Sequence, residues 1–468
     1  MVGMDIGTHI VPERPECRWQ TCSMEILRRI PETRVLVGPE DLEPYRRDES
    51  HVAGSAPLAV VQPRSRAALR ELVRVAAAEG WGLVPRGAGT GKAGGCVPTP
   101  GTVVVDLSAW PREMVLSRTD LTLRASASAS LREVKAAAAK GGLFYPPDPN
   151  SWESCAFGGT LATNAGGPNA CKYGMTRHWV LAVEALMADG EVHAFGIGSV
   201  KSNTGPSLAQ LLVGSEGIFG IILGATVRLL PAPTDFLTLL LPAQSWTDLL
   251  DVPERLFASG LLPSAFEFFD PAVLEDLRRH GPEEARRLPG EALAVLEFDD
   301  RGCTAEPFLA ALTELLGPIA QGLQLATDAR QREAIWSVRR KTSAHLKERY
   351  PKKVSEDIVV PRSRIRDFFE GLGRLEIPAV TYGHLGDGNL HTNLLAAGET
   401  DPQALEGQLM DLFRLCLSLG GGLSGEHGIG LAKRDAFLRL SDPYQVEALR
   451  GIKRALDPKG IFNPGKVI

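Results

Sequence analysis

Apolar residues recur along the chain with two different periods, and the alternation between them predicts its elements. Leu69, Leu72, Val73 and Ala76 fall at helical spacing within 65–79, behind Ser65 as a start signal. Short apolar runs at 56–63, 83–85, 102–107 and 121–128 predict strands, and 130–139 predicts a helix stopped by Gly141-Gly142. The runs 179–187 and 191–195 flank Asp189-Gly190, a hairpin signal, and 218–230 is one β-branched stretch ending at Pro231. Beyond Pro231-Ala-Pro233, helical patterns at 245–259, 305–315 and 331–348 alternate with strand patterns at 293–298, 378–383 and 390–395. Helical patterns at 402–419 and 442–456 close the chain. An α+β protein follows, with an N-terminal extension at 1–34, a first domain at 35–231, and a second domain at 232–468 built on an antiparallel sheet covered by helices.

Composition narrows the function classes. The 468 residues exceed one core, which supports the division into domains. The formal net charge of −5 excludes the basic surface that nucleic-acid binding requires. No apolar run reaches the ~20 residues of a membrane span, and residues 1–23 lack the apolar core of a secretory signal. The seven cysteines are scattered without a CxxC pair, so the chain carries no iron–sulfur or zinc-ribbon signature, and their distribution suits the cytoplasm.

The glycines gather in a few loops. Pro85-Arg86-Gly87-Ala88-Gly89-Thr90-Gly91-Lys92 has neither the spacing of a Walker A loop nor the following helix of a dinucleotide fingerprint, because Gly94, Gly95 and Pro98 come next. Its backbone N–H groups can still form a nest for a pyrophosphate. Pro147-Asp148-Pro149, Gly158 to Gly167, Tyr173-Gly174 and Gly214 to Ile221 add small-residue surface in the same half, enough to cover a bulky planar cofactor.

A second constellation lies downstream. His384 and His391 stand seven apart across a Gly-Asp-Gly-Asn turn, and Glu426-His427 sits on another glycine-flanked loop. Two imidazoles and a carboxylate make a three-ligand set with open positions, the layout of a catalytic site for zinc, manganese or iron.

In this order, Pro-Arg-Gly-Ala-Gly-Thr, Pro-Asp-Pro, Gly-Gly-x-x-Ala-x-Asn-Ala-Gly-Gly, Gly-Ser-Glu-Gly, His-x-Gly-Asp-Gly-Asn-x-His, Gly-Glu-His-Gly and Asn-Pro-Gly-Lys resemble the FAD-linked oxidases of the vanillyl-alcohol-oxidase superfamily. The branch of D-2-hydroxyacid dehydrogenases and the D subunit of glycolate oxidase is the most similar. The resemblance implies a PCMH-type FAD domain followed by a substrate domain that caps the flavin. It implies that Arg86, Gly87, Ala88, Gly89, Thr90 and Gly91 hold the pyrophosphate. Pro147, Asp148, Gly158, Gly159, Ala162, Asn164, Gly166, Gly174, Glu216, Gly220 and Ile221 would line the rest, with Asn463 and Lys466 closing the site. The pyrophosphate loop has no histidine, so FAD is expected to be non-covalent. His384, His391 and Glu426 match the family's ligand positions. His427 is the candidate base, Arg339 the carboxylate anchor, and Asn389 a substrate contact or an orienter of a ligand.

Relatives acting on dicarboxylic hydroxy acids carry a lysine where Ser355 stands here, which favours a small monocarboxylate such as glycolate or lactate. Reduced flavin would pass electrons to an acceptor, with an iron–sulfur partner subunit implied, so that the chain works in an oligomer or complex, in the cytoplasm or peripheral to a membrane through that partner. A metal-free flavin oxidase of another alcohol and a silent scaffold subunit are the competing readings.

Overall fold

The computed structural model describes residues 25–299, 304–395 and 402–468. Expectations that fall on 1–24, 300–303 and 396–401 lie outside it. Among the described residues no helix is long and apolar enough to cross a membrane.

The first domain contains two main sheets. Strands β1 (Thr33–Leu36), β2 (Val60–Pro63), β3 (Gly82–Arg86) and β4 (Thr102–Asp106) form a sheet in the order β1-β2-β4-β3, parallel where β4 meets β2 and β3. The helix Arg66–Glu79 makes the crossover. Its N-cap Ser65 accepts from the Ala68 N–H, and its buried stripe includes Leu69, Leu72, Val73 and Ala76, the four residues that predicted it. Strands β5 (Met114–Ser117), β6 (Thr122–Ser126), β8 (Val180–Leu186), β9 (Val192–Gly196) and β10 (Ile221–Arg228) form an antiparallel sheet in the order β5-β6-β10-β8-β9. The short strands β7 (Leu143–Phe144) and β11 (Leu230–Pro231) pair separately. Between β3 and β10 run the glycine loops.

The second domain is a seven-stranded antiparallel sheet: β12 (Phe236–Ala243), β13 (Ala265–Phe269), β14 (Ala292–Asp299), β15 (Gln324–Leu325), β16 (Val354–Val359), β17 (Ala379–His384) and β18 (Asn389–Leu394), in the order β15-β12-β14-β13-β17-β18-β16. Because side chains alternate across a strand, one face carries Phe266, Phe268, Ile358, Leu390 and Leu394 into the larger core. The opposite face carries Glu267, Asp357, Tyr382, His384 and His391, which the register sets side by side: Glu267 opposes His384, and His391 is flanked by Tyr382 and Asp357. The helix Ala329–Arg349 packs Trp336, Val338 and Leu346 on this second face.

The C-terminal segment also packs against the first sheet. After the helix Pro443–Leu456 the chain returns to the first domain, where Ile461 and Phe462 are buried in its core. The Leu83 N–H donates to Ile461 O (2.6 Å) and the Asn463 N–H to Leu83 O (2.8 Å), so the segment extends the free edge of β3. The apolar Gly-Ile-Phe before Asn463 finds its partner at that open parallel edge.

Candidate active site

Two cavities share a wall. The first, of about 370 Å³, is lined by backbone of residues 85–93, by Gly158, Gly159, Ala162 and Gly166, and by Glu216 and Ile221. The second, of about 630 Å³, is lined by Arg339, Tyr382, His384, His391 and Asp148. Glu426 and His427 line both. Gly166 packs closely here, since a Cβ there would stand 3.0 Å from Glu426 Oε2.

The first cavity suits a large polar cofactor. Among the described residues, Glu216 Oε2, Asn463 Oδ1 and Lys466 Nζ are buried without partners. They belong together: the Asn463 amide donates to Gly95 O (2.9 Å) and Glu216 O (2.6 Å), and Lys466 feels the Glu216 charge. Three orphaned polar atoms beside a glycine-walled cavity leave hydrogen bonds for a ligand to complete.

The expected lining is only partly realised by side chains. The Arg86 guanidinium is spent on the carbonyls of Pro44 and Arg47 and on stacking against Tyr45, so the loop offers backbone rather than this side chain. Asp148 faces the second cavity, where burial raises its pKa to about 7 against the pull of Lys135. Pro147, Asn164, Gly174, Gly220, Asn463 and Lys466 do not line either cavity. Asn164 instead ends the helix Phe157–Thr163 in a left-handed conformation and accepts from the Arg177 N–H.

In the second cavity the three expected ligands converge. His384 Nε2 lies 3.3 Å from His391 Nε2, and Glu426 Oε1 lies 3.6 and 3.7 Å from the two nitrogens. Bonds of about 2.1 Å to one ion place two ligand nitrogens about 3.0–3.4 Å apart, so the set fits a divalent cation after a small closure at the carboxylate. The tautomer fits too. His384 Nδ1 faces Glu267 Oε1 at 2.5 Å, which turns the Nε2 lone pair to the site. Burial alone would lower the His384 pKa, but Glu267 outweighs it and holds the ring well above its ordinary value. A cation exchanges with that proton. His391 is pushed well below its ordinary value by burial and by His384, which keeps it neutral as a ligand must be.

Arg339 comes from the helix Ala329–Arg349, lies over the Tyr382 ring, and donates through Nε to Glu267. Its guanidinium still lines the cavity. Asn389 is not a lining residue: its amide donates to the carbonyls of Asp357 (3.3 Å) and Ile358 (3.0 Å), tying β18 to β16.

Three acidic and basic groups escaped the sequence reading. Glu267 sits on a strand buried along its whole length, and Asp357 in the buried middle of β16, so neither stands at a polar position of an alternating pattern. Lys353 is the third. It stands two residues before Ser355 on the same face of the sheet, and Asn393 Oδ1 binds both Lys353 Nζ and Ser355 Oγ at 2.6 Å. With Lys92 and Lys347 it lines the cavity mouth, so the positive charge missing at Ser355 is present nearby.

Comparison with known proteins identifies the family. Residues 232–467 match the C-terminal domain of FAD linked oxidases, and residues 57–196 match an FAD binding domain. The chain is 33% identical to a D-2-hydroxyglutarate dehydrogenase of Xanthomonas citri, covering 95% of this chain and 96% of the relative. It is 33% identical to a D-lactate dehydrogenase of Archaeoglobus fulgidus (94% and 95% covered) and 30% identical to the glycolate oxidase subunit GlcD of Bacillus subtilis (92% and 94%). The solved 4-ethylphenol oxidase of Gulosibacter chungangensis shares the fold with a TM-score of 0.74 at 18% identity, covering 96% of this chain and 97% of that one. The chain is a member of the FAD-linked oxidase family and an FAD-dependent oxidoreductase.

Proposed function

We propose that the protein oxidises small 2-hydroxy acids to 2-oxo acids, with a divalent cation held by His384, His391 and Glu426. The observation that carries the proposal is the meeting of the two cavities at Glu426-His427. A substrate hydroxyl at the three-ligand set would be next to both the flavin cavity and a histidine. Bound FAD supplies a hydride acceptor, and the cation supplies Lewis acidity that eases loss of the hydroxyl proton.

The chain's own groups do the rest. Arg339 offers a guanidinium fork to the substrate carboxylate. Burial lowers the His427 pKa, keeping the ring neutral and able to accept the hydroxyl proton at Nε2. Relatives named for D-lactate, D-2-hydroxyglutarate and glycolate support the substrate class. With no cysteine pattern for an iron–sulfur cluster in the chain, electrons leave to an external acceptor, and an iron–sulfur partner subunit fits the glycolate oxidase likeness.

The test is anaerobic mixing of purified flavoprotein with glycolate, D-lactate, L-lactate and D-2-hydroxyglutarate, with and without prior chelation. The expected result is loss of flavin colour with at least one acid, abolished by chelation and restored by the ion. A flavin that stays oxidised with every acid, metal replete, rejects the proposal.

A further inference from the structure

Behind the loop that carries Glu426 and His427 lies a carboxylate with more partners than any neutral anchor would need. Asp357, on β16, has a fully buried side chain. Its Oδ2 accepts the backbone N–H groups of Glu426 and His427, both at 2.8 Å, and the Ser424 hydroxyl at 3.0 Å. Its Oδ1 receives the Lys433 ammonium and lies 3.4 Å from His427 Nδ1. Ser424 Oγ in turn accepts the Gly428 N–H at 3.0 Å, closing the turn.

We infer that Asp357 is the positioning residue that makes His427 a proton acceptor, an assignment that rests on the oxidation proposed above. A loop of neutral N–H and O–H donors could be held by a neutral acceptor, whereas a buried carboxylate costs desolvation and needs a cation, here Lys433, which it shares with Glu356. The placement explains the charge. A carboxylate charge 3.4 Å from Nδ1 favours the N–H on that nitrogen, so the Nε2 lone pair is left for the substrate side. When the hydroxyl O–H bond breaks, its proton goes to Nε2, and the ring, now carrying both protons, is balanced by Asp357, which stays ionised. The same two backbone hydrogen bonds hold Glu426 in register, so ligand and acceptor keep one spacing.

The prediction separates this role from simple anchoring because Asp357 must act through His427. Flavin reduction is followed anaerobically at saturating hydroxy acid in the full-length, metal-loaded flavoprotein, in the wild type, D357N, H427Q and the double variant. Positioned general-base catalysis contributes roughly 10²–10⁴ in rate. D357N and H427Q are each expected to slow reduction by at least about 10²-fold, with bound flavin, metal content and the half-saturating acid concentration close to wild type. In the H427Q background, D357N is expected to add almost nothing, since the interaction it removes is already gone. Should D357N not accumulate as folded protein, D357S keeps an acceptor at the same place and is read through the same cycle. H427Q at the wild-type rate overturns the base reading and this inference together. H427Q slow with D357N at the wild-type rate overturns the inference alone. Equal cost of D357N in both backgrounds, or its loss of metal, shows a structural anchor and also overturns it.

Discussion

His384 Nδ1 and Glu267 Oε1 lie 2.5 Å apart on neighbouring strands, and the second oxygen of the same carboxylate takes Nε of Arg339. One buried side chain therefore sets the tautomer of an imidazole in the proposed ligand set and the pose of the guanidinium proposed to bind the substrate carboxylate. Removing an outer partner of this kind typically costs 10–100-fold in metal affinity. E267A is expected to weaken cation binding by about that factor, measured by chelator competition, while flavin absorbance of the purified protein is retained. It also leaves Arg339 buried without its counter-charge, so a loss of several kcal/mol in stability is expected in the same variant. E267Q, which keeps an acceptor, should lose less of both.

The three-ligand set predicts a separation of the two cofactors. H391A and E426A are expected to purify with flavin and without stoichiometric cation, determined by elemental analysis, and to leave the flavin oxidised when a hydroxy acid is added. Dialysis of the wild type against a chelator should give the same phenotype reversibly. Retained cation in E426A would remove that residue from the ligand set.

How much of this was legible beforehand follows from what each residue type announces. His384, His391 and Glu426 stand out because glycine turns flank them, and the structure brings them together. The glycine loop at 85–93 was visible as backbone surface, though the direction of the Arg86 side chain was not, since carbonyls of a distant loop capture it. Glu267 and Asp357 gave no signal. Ala265-Phe-Glu-Phe-Phe is buried on both faces, so its strand lacks alternation and its one carboxylate reads as an accident. The strand Phe236–Ala243 was missed for the same reason. The helical pattern at 245–259 resolves into two short helices, Trp246–Leu249 and Val252–Ala258, because Pro253 favours a new first turn.

Phe462 ties the end of the chain to the flavin cavity. Its ring is fully buried, its backbone neighbours pair with Leu83, and Asn463 beside it bridges Gly95 and Glu216. F462A is expected to cost about 3–5 kcal/mol in unfolding free energy by urea titration. Because the same segment carries Asn463 and Lys466, the variant should also release FAD more readily, seen as a rise in free-flavin fluorescence at a denaturant concentration where the wild type holds it.

Lys353 lines the cavity where a second acid group of a substrate would lie. Burial first, and then Lys92 and Lys347, bring its pKa down to about 8. The ammonium is therefore present below that pH and lost above it. For a hydroxy acid with a second carboxylate, kcat/KM is expected to fall as pH rises through about 8, since this ratio reports the free enzyme. Glycolate, which has no second charge to place there, should not share that fall. A charge-assisted hydrogen bond contributes about 1.5–3 kcal/mol, so K353M is expected to raise KM for the dicarboxylic acid by about 10- to 100-fold. The variant should leave glycolate turnover unchanged and abolish the difference between the two pH profiles. Parallel profiles for both acids in the wild type would place the second carboxylate elsewhere.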